Sequence, residues 1–354
     1  MNKQISFEPK AFPIIYLISV YSMLLISVFL QRAPENTAMS FLSFALPQII
    51  HLLVIGIYSA YKKVDIFAAI PIKVKMPAKK YMWTALIVIG FFCFALLPNV
   101  ISMTLFNSAG MPASVRVPAM TNIQNILLGL VIICVLPALG EEMLFRGVLV
   151  SSFKEYGGVS VILMSALFFS LSHLNLAQTF YQFAIGVVVC YLYLKTGNLI
   201  IPIIIHFLNN AIALFLPAAI PFFQNLKLDG MTFLILLAMF VVGLFVFVLA
   251  IRKLVGDIKR SSDIVVFEYQ AENDEFVAVA TEKSKKSVFK SAIATIKREF
   301  LYTYQDIVRT FKKGQIKKRI ESFKEQFPKT RKLNNLIKII LAVIIGLWFI
   351  TILL

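Results

Sequence analysis

The chain has 354 residues, of which 59% are hydrophobic and only 15% charged, with mean hydropathy +0.83 and a formal net charge of +17. Soluble domains carry about 25% charged residues, so this balance excludes an ordinary soluble protein. The three cysteines, Cys93, Cys134 and Cys190, all lie inside apolar runs, which argues against a disulfide framework.

A helix needs about 20 apolar residues to cross the hydrocarbon core, and an open strand there would leave its backbone groups unsatisfied. Windows of that kind predict membrane helices at 12–30, 40–60, 82–106, 123–145, 157–174, 178–195, 199–220, 231–251 and 336–354. The first has no convincing small-residue cleavage site and reads as a retained anchor. The fourth to seventh follow one another on short connections and are expected to pack as neighbours.

Loop charge sets the orientation. With the N-terminus inside, the inner loops hold Lys3, Lys10, six lysines in 61–80, Arg146, Lys154, Lys195 and the segment after the eighth span. The outer loops hold only Arg32, Arg116 and Lys227. Eight spans then begin and end in the cytoplasm, and a ninth takes the C-terminus out. Residues 252–335 carry 20 Lys/Arg against 11 Asp/Glu. Both basic clusters border membrane spans, so they suit an anionic lipid surface rather than nucleic acid.

Within 252–335, "IVVFEYQ" and "EFVAVATE" predict a short hairpin. Val288, Ala292, Ile296, Phe300, Tyr304, Ile307 and Phe311 then recur at helical spacing, and Ile316, Ile320, Phe323 and Phe327 repeat the pattern after Gly314. These read as amphipathic helices lying on the cytoplasmic membrane surface. The expected organisation is an eight-span core over 1–251, a basic cytoplasmic region over 252–335 and a C-terminal transmembrane helix over 336–354.

The stretch "ALGEEMLFRG" (138–147) places three charges in an apolar run, although each costs about 2.5–3.5 kcal/mol near a bilayer centre. Glu142 and Arg146 stand at i,i+4 and can neutralise each other, whereas Glu141 lies about 100° round the helix and is free to act as a general base. Only three histidines exist, and two fall in the neighbouring spans: Phe169 and His173 in "FSLSH", His206 and Asn210 in "HFLNN". Pro137 and Pro202 each precede a key residue by four positions and are expected to bend their helices beside it. His51, Asn175, Gln178 and Asn209 read as interhelical or cavity-lining groups.

Taken in order, Glu-Glu-x-x-x-Arg, Phe-x-x-x-His and His-x-x-x-Asn resemble the signature of the CPBP intramembrane proteases, which include CAAX prenyl endopeptidases and bacteriocin-immunity relatives. The resemblance covers about 120–220. It implies an endopeptidase with its site sunk in the membrane, which, with the spans read above, gives an all-α multi-pass membrane protein with an eight-helix intramembrane protease core. Glu141 and His173 would activate water, while His206 and Asn210 would hold the oxyanion; Glu142, Arg146 and Phe169 would support them. The implied substrate is a membrane protein or lipidated peptide. The family is often called metalloproteases, but no His-Glu-x-x-His occurs here. The favoured expectation is that no cofactor is required and no residue is a metal ligand, with zinc on Glu141, His173 and His206 as the alternative.

Other classes fit less well. No Gly-x-Ser-x-Gly elbow is present, and every Asp lies outside the expected spans. A proton-coupled transporter would be expected to show internal repeats. The main alternative is a non-catalytic receptor, scaffold or immunity factor retaining the fold, which would have little reason to keep the whole polar set. The absence of a retention signal favours a bacterial plasma membrane.

Overall fold

A computed structural model describes residues 4–31, 36–110, 117–173, 175–224, 226–267, 315–327, 329, 335, 337–338 and 341–346. Eight apolar helices occupy the eight positions expected before residue 252. They are α1 (Ala11–Gln31), α2 (Thr37–Lys62), α3 (Ala78–Ser108), α4 (Ile123–Phe153), α5 (Gly158–Leu171), α6 (Leu176–Thr196), α7 (Ile200–Ala219) and α8 (Gly230–Phe267). Six of these are long and apolar enough to cross a membrane; α5 and the Ala11–Ile26 part of α1 are shorter. The chain is an all-α multi-pass integral membrane protein.

Side chains start several of the helices. Asn36, Asn122 and Asn175 each accept a hydrogen bond from the backbone N–H three residues on, which opens α2, α4 and α6. Asn175, expected to line the cavity, is thus also a helix cap. Asp229 does the same for α8 at 2.7 Å from Thr232 N, and that N–H holds its carboxyl below the usual range. Gly197, at φ 58°, closes α6 in the left-handed conformation that glycine adopts without strain.

Aromatic packing draws α1 onto the centre of the bundle. Phe12 lies 5.3 Å from the Phe168 ring and 5.9 Å from Phe153, and Tyr16 lies 6.1 Å from Phe145. Between α3 and α8 the contact is backbone to backbone: a Cβ on Gly243 would stand 2.5 Å from Phe94 N and 2.8 Å from Gly90 O. Small residues at such crossings let membrane helices approach closely. Gly243→Val is therefore expected to push α8 off α3 and destabilise the fold by about 1–3 kcal/mol, read as a lower thermal midpoint in detergent.

The loops assigned to the inside gather at one end of the bundle. Gln4 pairs with Lys63 and Asp65, Glu8 bridges to Lys62 at 3.2 Å, Leu199 N donates to Pro71 O, and Lys73 and Asn198 exchange two hydrogen bonds. A further amphipathic helix, α9 (Gln315–Gln326), joins the same end. Gly158 N donates to Phe327 O, and a Cβ on Gly158 would meet Phe327 Cβ at 2.6 Å. Lys195 of α6 lies over the Phe323 and Phe327 rings and donates to Gln326. The expected helix at 315–327 thus packs through Phe323 and Phe327 on α5 and α6, with most of its other described side chains exposed.

Ile264–Phe267, expected to begin a strand, instead continue α8, and the boundary drawn at 251 falls inside that helix. The rest of the expected hairpin and the 288–311 pattern lie outside the described residues. So does much of the ninth span, although the described part of it is helical and buries Ile337, Leu341 and Ile344 in the core.

Candidate active site

α4 departs from α-helical geometry on both sides of its glutamate pair. Leu130–Val135 and Met143–Val148 are π-helical, and Leu136–Glu142 between them is α-helical. Pro137 carries no N–H for the Ile133 carbonyl four residues back, and Asn210 Nδ2 of α7 donates to that carbonyl at 3.0 Å. In the second π segment the Phe145 carbonyl accepts from Ser165 Oγ of α5 at 3.0 Å. Widened turns of this kind recur at functional sites. Pro202 does not act this way: it sits in the first turn of α7, where its missing N–H would have no partner anyway.

The two glutamates have different surroundings. Glu142 Oε1 accepts from Arg146 Nη1 at 2.8 Å, as the i,i+4 spacing predicts, and also lies 2.7 Å from His206 Nδ1. Arg146 is fully buried; its Nη2 faces Gly186 O at 3.4 Å and its guanidinium lies 4.4 Å from the Phe169 ring centre. Glu141 makes no pair with Arg146. Its Oε1 accepts from Gln48 Nε2 of α2 at 2.7 Å, while its buried Oε2 has no hydrogen-bond partner and lies 3.8 Å from His206 Nε2.

His173 stands in the turn beyond α5, not within the helix expected over 157–174. The 14 residues of α5 give about 21 Å of helix, short of the roughly 30 Å hydrocarbon core. A helix of this length cannot span that core, and irregular backbone is tolerated at such depth only if protein covers it or a cavity adjoins it. His173 Nδ1 lies 2.9 Å from the Phe169 carbonyl, and its ring is 5.0 Å from the Phe169 ring. With Nδ1–H donating to that carbonyl, Nε2 is left as an acceptor. Phe169 also contacts His206 edge-on at 5.7 Å, so one phenyl ring packs between both histidines and Arg146.

The structure thus gathers Glu141, Glu142, Arg146, Phe169, His173 and His206 around one locus, while Asn210, one turn on from His206, commits its amide to the Ile133 carbonyl. Glu142, Arg146, Phe169, Gln182, His206 and Asn209 line a small cavity there. Asn209 also accepts from Tyr181 OH at 2.5 Å. The sequence reading overlooked Gln48 and set His51 aside. Both are buried, His51 Nδ1 is 3.4 Å from Gln48 Oε1, and His51 lies within electrostatic reach of Glu141. The available signal was a second polar pair, at i,i+3, within the span at 40–60.

Among the described residues no three His, Cys, Asp or Glu side chains are grouped so as to hold a metal ion. One nitrogen of each site histidine is committed, Nδ1 of His206 to Glu142 and Nδ1 of His173 to a backbone carbonyl, an arrangement that leaves each Nε2 open and fits a metal-bound histidine as well as a free one.

Residues 123–212 match the family model described as type II CAAX prenyl endopeptidase Rce1-like. Over this segment the chain is similar to the Rce1-like family. The match supports a CPBP-family intramembrane protease and contains all seven residues of the three motifs. No curated protein and no solved structure matches the chain. α1 to α3, α8 and α9 lie outside the Rce1-like segment, yet α2 supplies Gln48 to Glu141.

Proposed function

We propose that the chain is an intramembrane endopeptidase acting on membrane-embedded or lipidated substrates, prenylated CAAX-type tails among them. The Rce1-like match suggests CAAX-type protease activity. The observation that carries the finer reading is the buried, unpartnered Oε2 of Glu141 facing His206 Nε2, beside a His173 that offers an acceptor nitrogen.

A water in that space donates one hydrogen to Glu141 Oε2 and the other to His173 Nε2, leaving a lone pair for the scissile carbonyl carbon. As the new C–O bond forms, Glu141 takes the proton, and the carbonyl oxygen becomes an oxyanion. His206, with Nδ1 on Glu142, donates from a protonated Nε2, and Asn210 contributes the second hydrogen of its amide. Preorganised donors of this kind contribute about 3–4 kcal/mol in a water-poor site. Collapse breaks the C–N bond, and the proton on Glu141 passes to the leaving amine. The basic inner end, with its six-lysine loop, rests on the anionic lipid face and holds the site at constant depth.

Purified chain in vesicles, given a farnesylated peptide with a Cys-a-a-X terminus, should release a C-terminal fragment detectable by mass spectrometry. Membranes with and without the intact chain should also differ in their peptides. Products that require Glu141 in either arm support the reading, and their absence from both overturns it. Activity is further expected to survive a strong chelator, with well under one zinc per chain by elemental analysis. Stoichiometric zinc, with activity lost on chelation and restored by zinc alone, would recast Glu141, His173 and His206 as ligands.

A further inference from the structure

We infer that Gln48 and His51 of α2, both outside the Rce1-like segment, are positioning residues that fix the reactive carboxylate of Glu141. The inference rests on the reading of Glu141 as the base, and adds to it the part of the chain that orients that base.

The two residues form a directed chain. Gln48 Nε2 donates to Glu141 Oε1 at 2.7 Å, which turns Gln48 Oε1 towards His51 Nδ1 at 3.4 Å, where the Nδ1–H tautomer of His51 donates to it. The terminal torsion of a glutamate is broad and roughly two-fold, so a carboxylate without such a partner samples many orientations. With Oε1 held, Oε2 is the oxygen left facing His206 Nε2. The other charged or titratable groups at this locus are His173, His206, Glu142 and Arg146; none of them hydrogen-bonds Glu141. The hydrogen bond on Glu141 therefore comes from α2, while His206 of α7 faces the other oxygen at 3.8 Å.

Backbone geometry provides for the contact. Gly140, immediately before Glu141, faces α2 so closely that a Cβ would lie 2.8 Å from Gln48 Oε1 and 3.1 Å from Gln48 O. The missing side chain lets α2 seat against α4 at the level of the carboxylate. Simple interhelical adhesion would need only the contact, whereas positioning also requires that its loss slow the chemistry.

The test compares wild type, Gln48→Met, His51→Phe, His51→Gln and Glu141→Gln in vesicles, with the farnesylated Cys-a-a-X peptide as substrate. Methionine keeps the length and packing of Gln48 but cannot donate. Gln48→Met is expected to lower kcat roughly 10- to 100-fold, the size typical of groups that orient a reacting residue, with KM unchanged. His51→Phe should show a smaller loss in the same parameter, and His51→Gln, which keeps a donor, should restore most of it. A folded Gln48→Met chain with wild-type kcat overturns the inference. If Gln48→Met is not recovered folded, His51→Phe is read in its place, and unchanged kcat there overturns it. Full turnover by Glu141→Gln instead overturns the functional reading itself. If wild type does not cleave the peptide, a thermal-unfolding cycle between Gln48→Met and Glu141→Gln judges the contact, and additive shifts overturn it.

Discussion

Glu141→Ala is expected to abolish hydrolysis while leaving membrane insertion intact. A general base contributes about 10²- to 10⁴-fold, and here the same side chain also holds the water, so the loss should reach or exceed the upper end of that range. The structural cost is small by comparison. Glu141 forms one hydrogen bond, from Gln48, and the amide left unpaired costs about 1–3 kcal/mol. Turnover and thermal midpoint of the purified variant, measured on the same preparation, separate the two effects. Wild-type turnover would remove Glu141 from the mechanism.

Glu142→Ala should act in the opposite order, on folding before chemistry. Its Oε1 meets both Arg146 and His206, and Arg146 has no exposed surface from which to reach water. Removing one partner of a buried pair costs about 3–5 kcal/mol because the other charge stays behind unpaired. Lower yield of folded protein and a depressed thermal midpoint are the expected readouts. Activity per folded molecule should fall as well, since His206 loses the carboxylate that fixes its ring. A Glu142→Ala chain with wild-type stability would show that Arg146 finds other compensation.

The helices and the three motifs were legible in the sequence because both depend on local spacing. Span length follows from hydropathy, and i,i+4 spacing alone pairs Glu142 with Arg146 and separates Glu141 from it. Gln48 was not legible, because its role depends on how closely α2 meets α4, and nothing in "LPQIIH" fixes that distance. Gly140 is what decides it, and a glycine inside an apolar run says little until its neighbour is known. The second partner of Glu142 was hidden for the same reason: His206 comes from another helix, 64 positions away. Hydropathy also could not show the π turns, since Leu130–Val135 is uniformly apolar and reads alike in either helix type. The early end of α5 was missed because only Ser172 and His173 separate Leu171 from Leu174, too short a polar break to lower the hydropathy of the window, and the Asn175 cap marks the restart.

The two π segments also determine which changes of chain length α4 can absorb. A π turn holds about one residue more than an α turn, so losing one residue from Leu130–Val135 would tighten it to an ordinary turn and leave both flanks facing as before. Asn210 would then face a different carbonyl, but Glu141 and Glu142 would keep their directions. The same loss inside Leu136–Glu142 has no slack to draw on and would swing one flank by about 100° against the other. Single-residue gaps among chains built on this plan should therefore cluster in the two widened turns and avoid the seven residues between them.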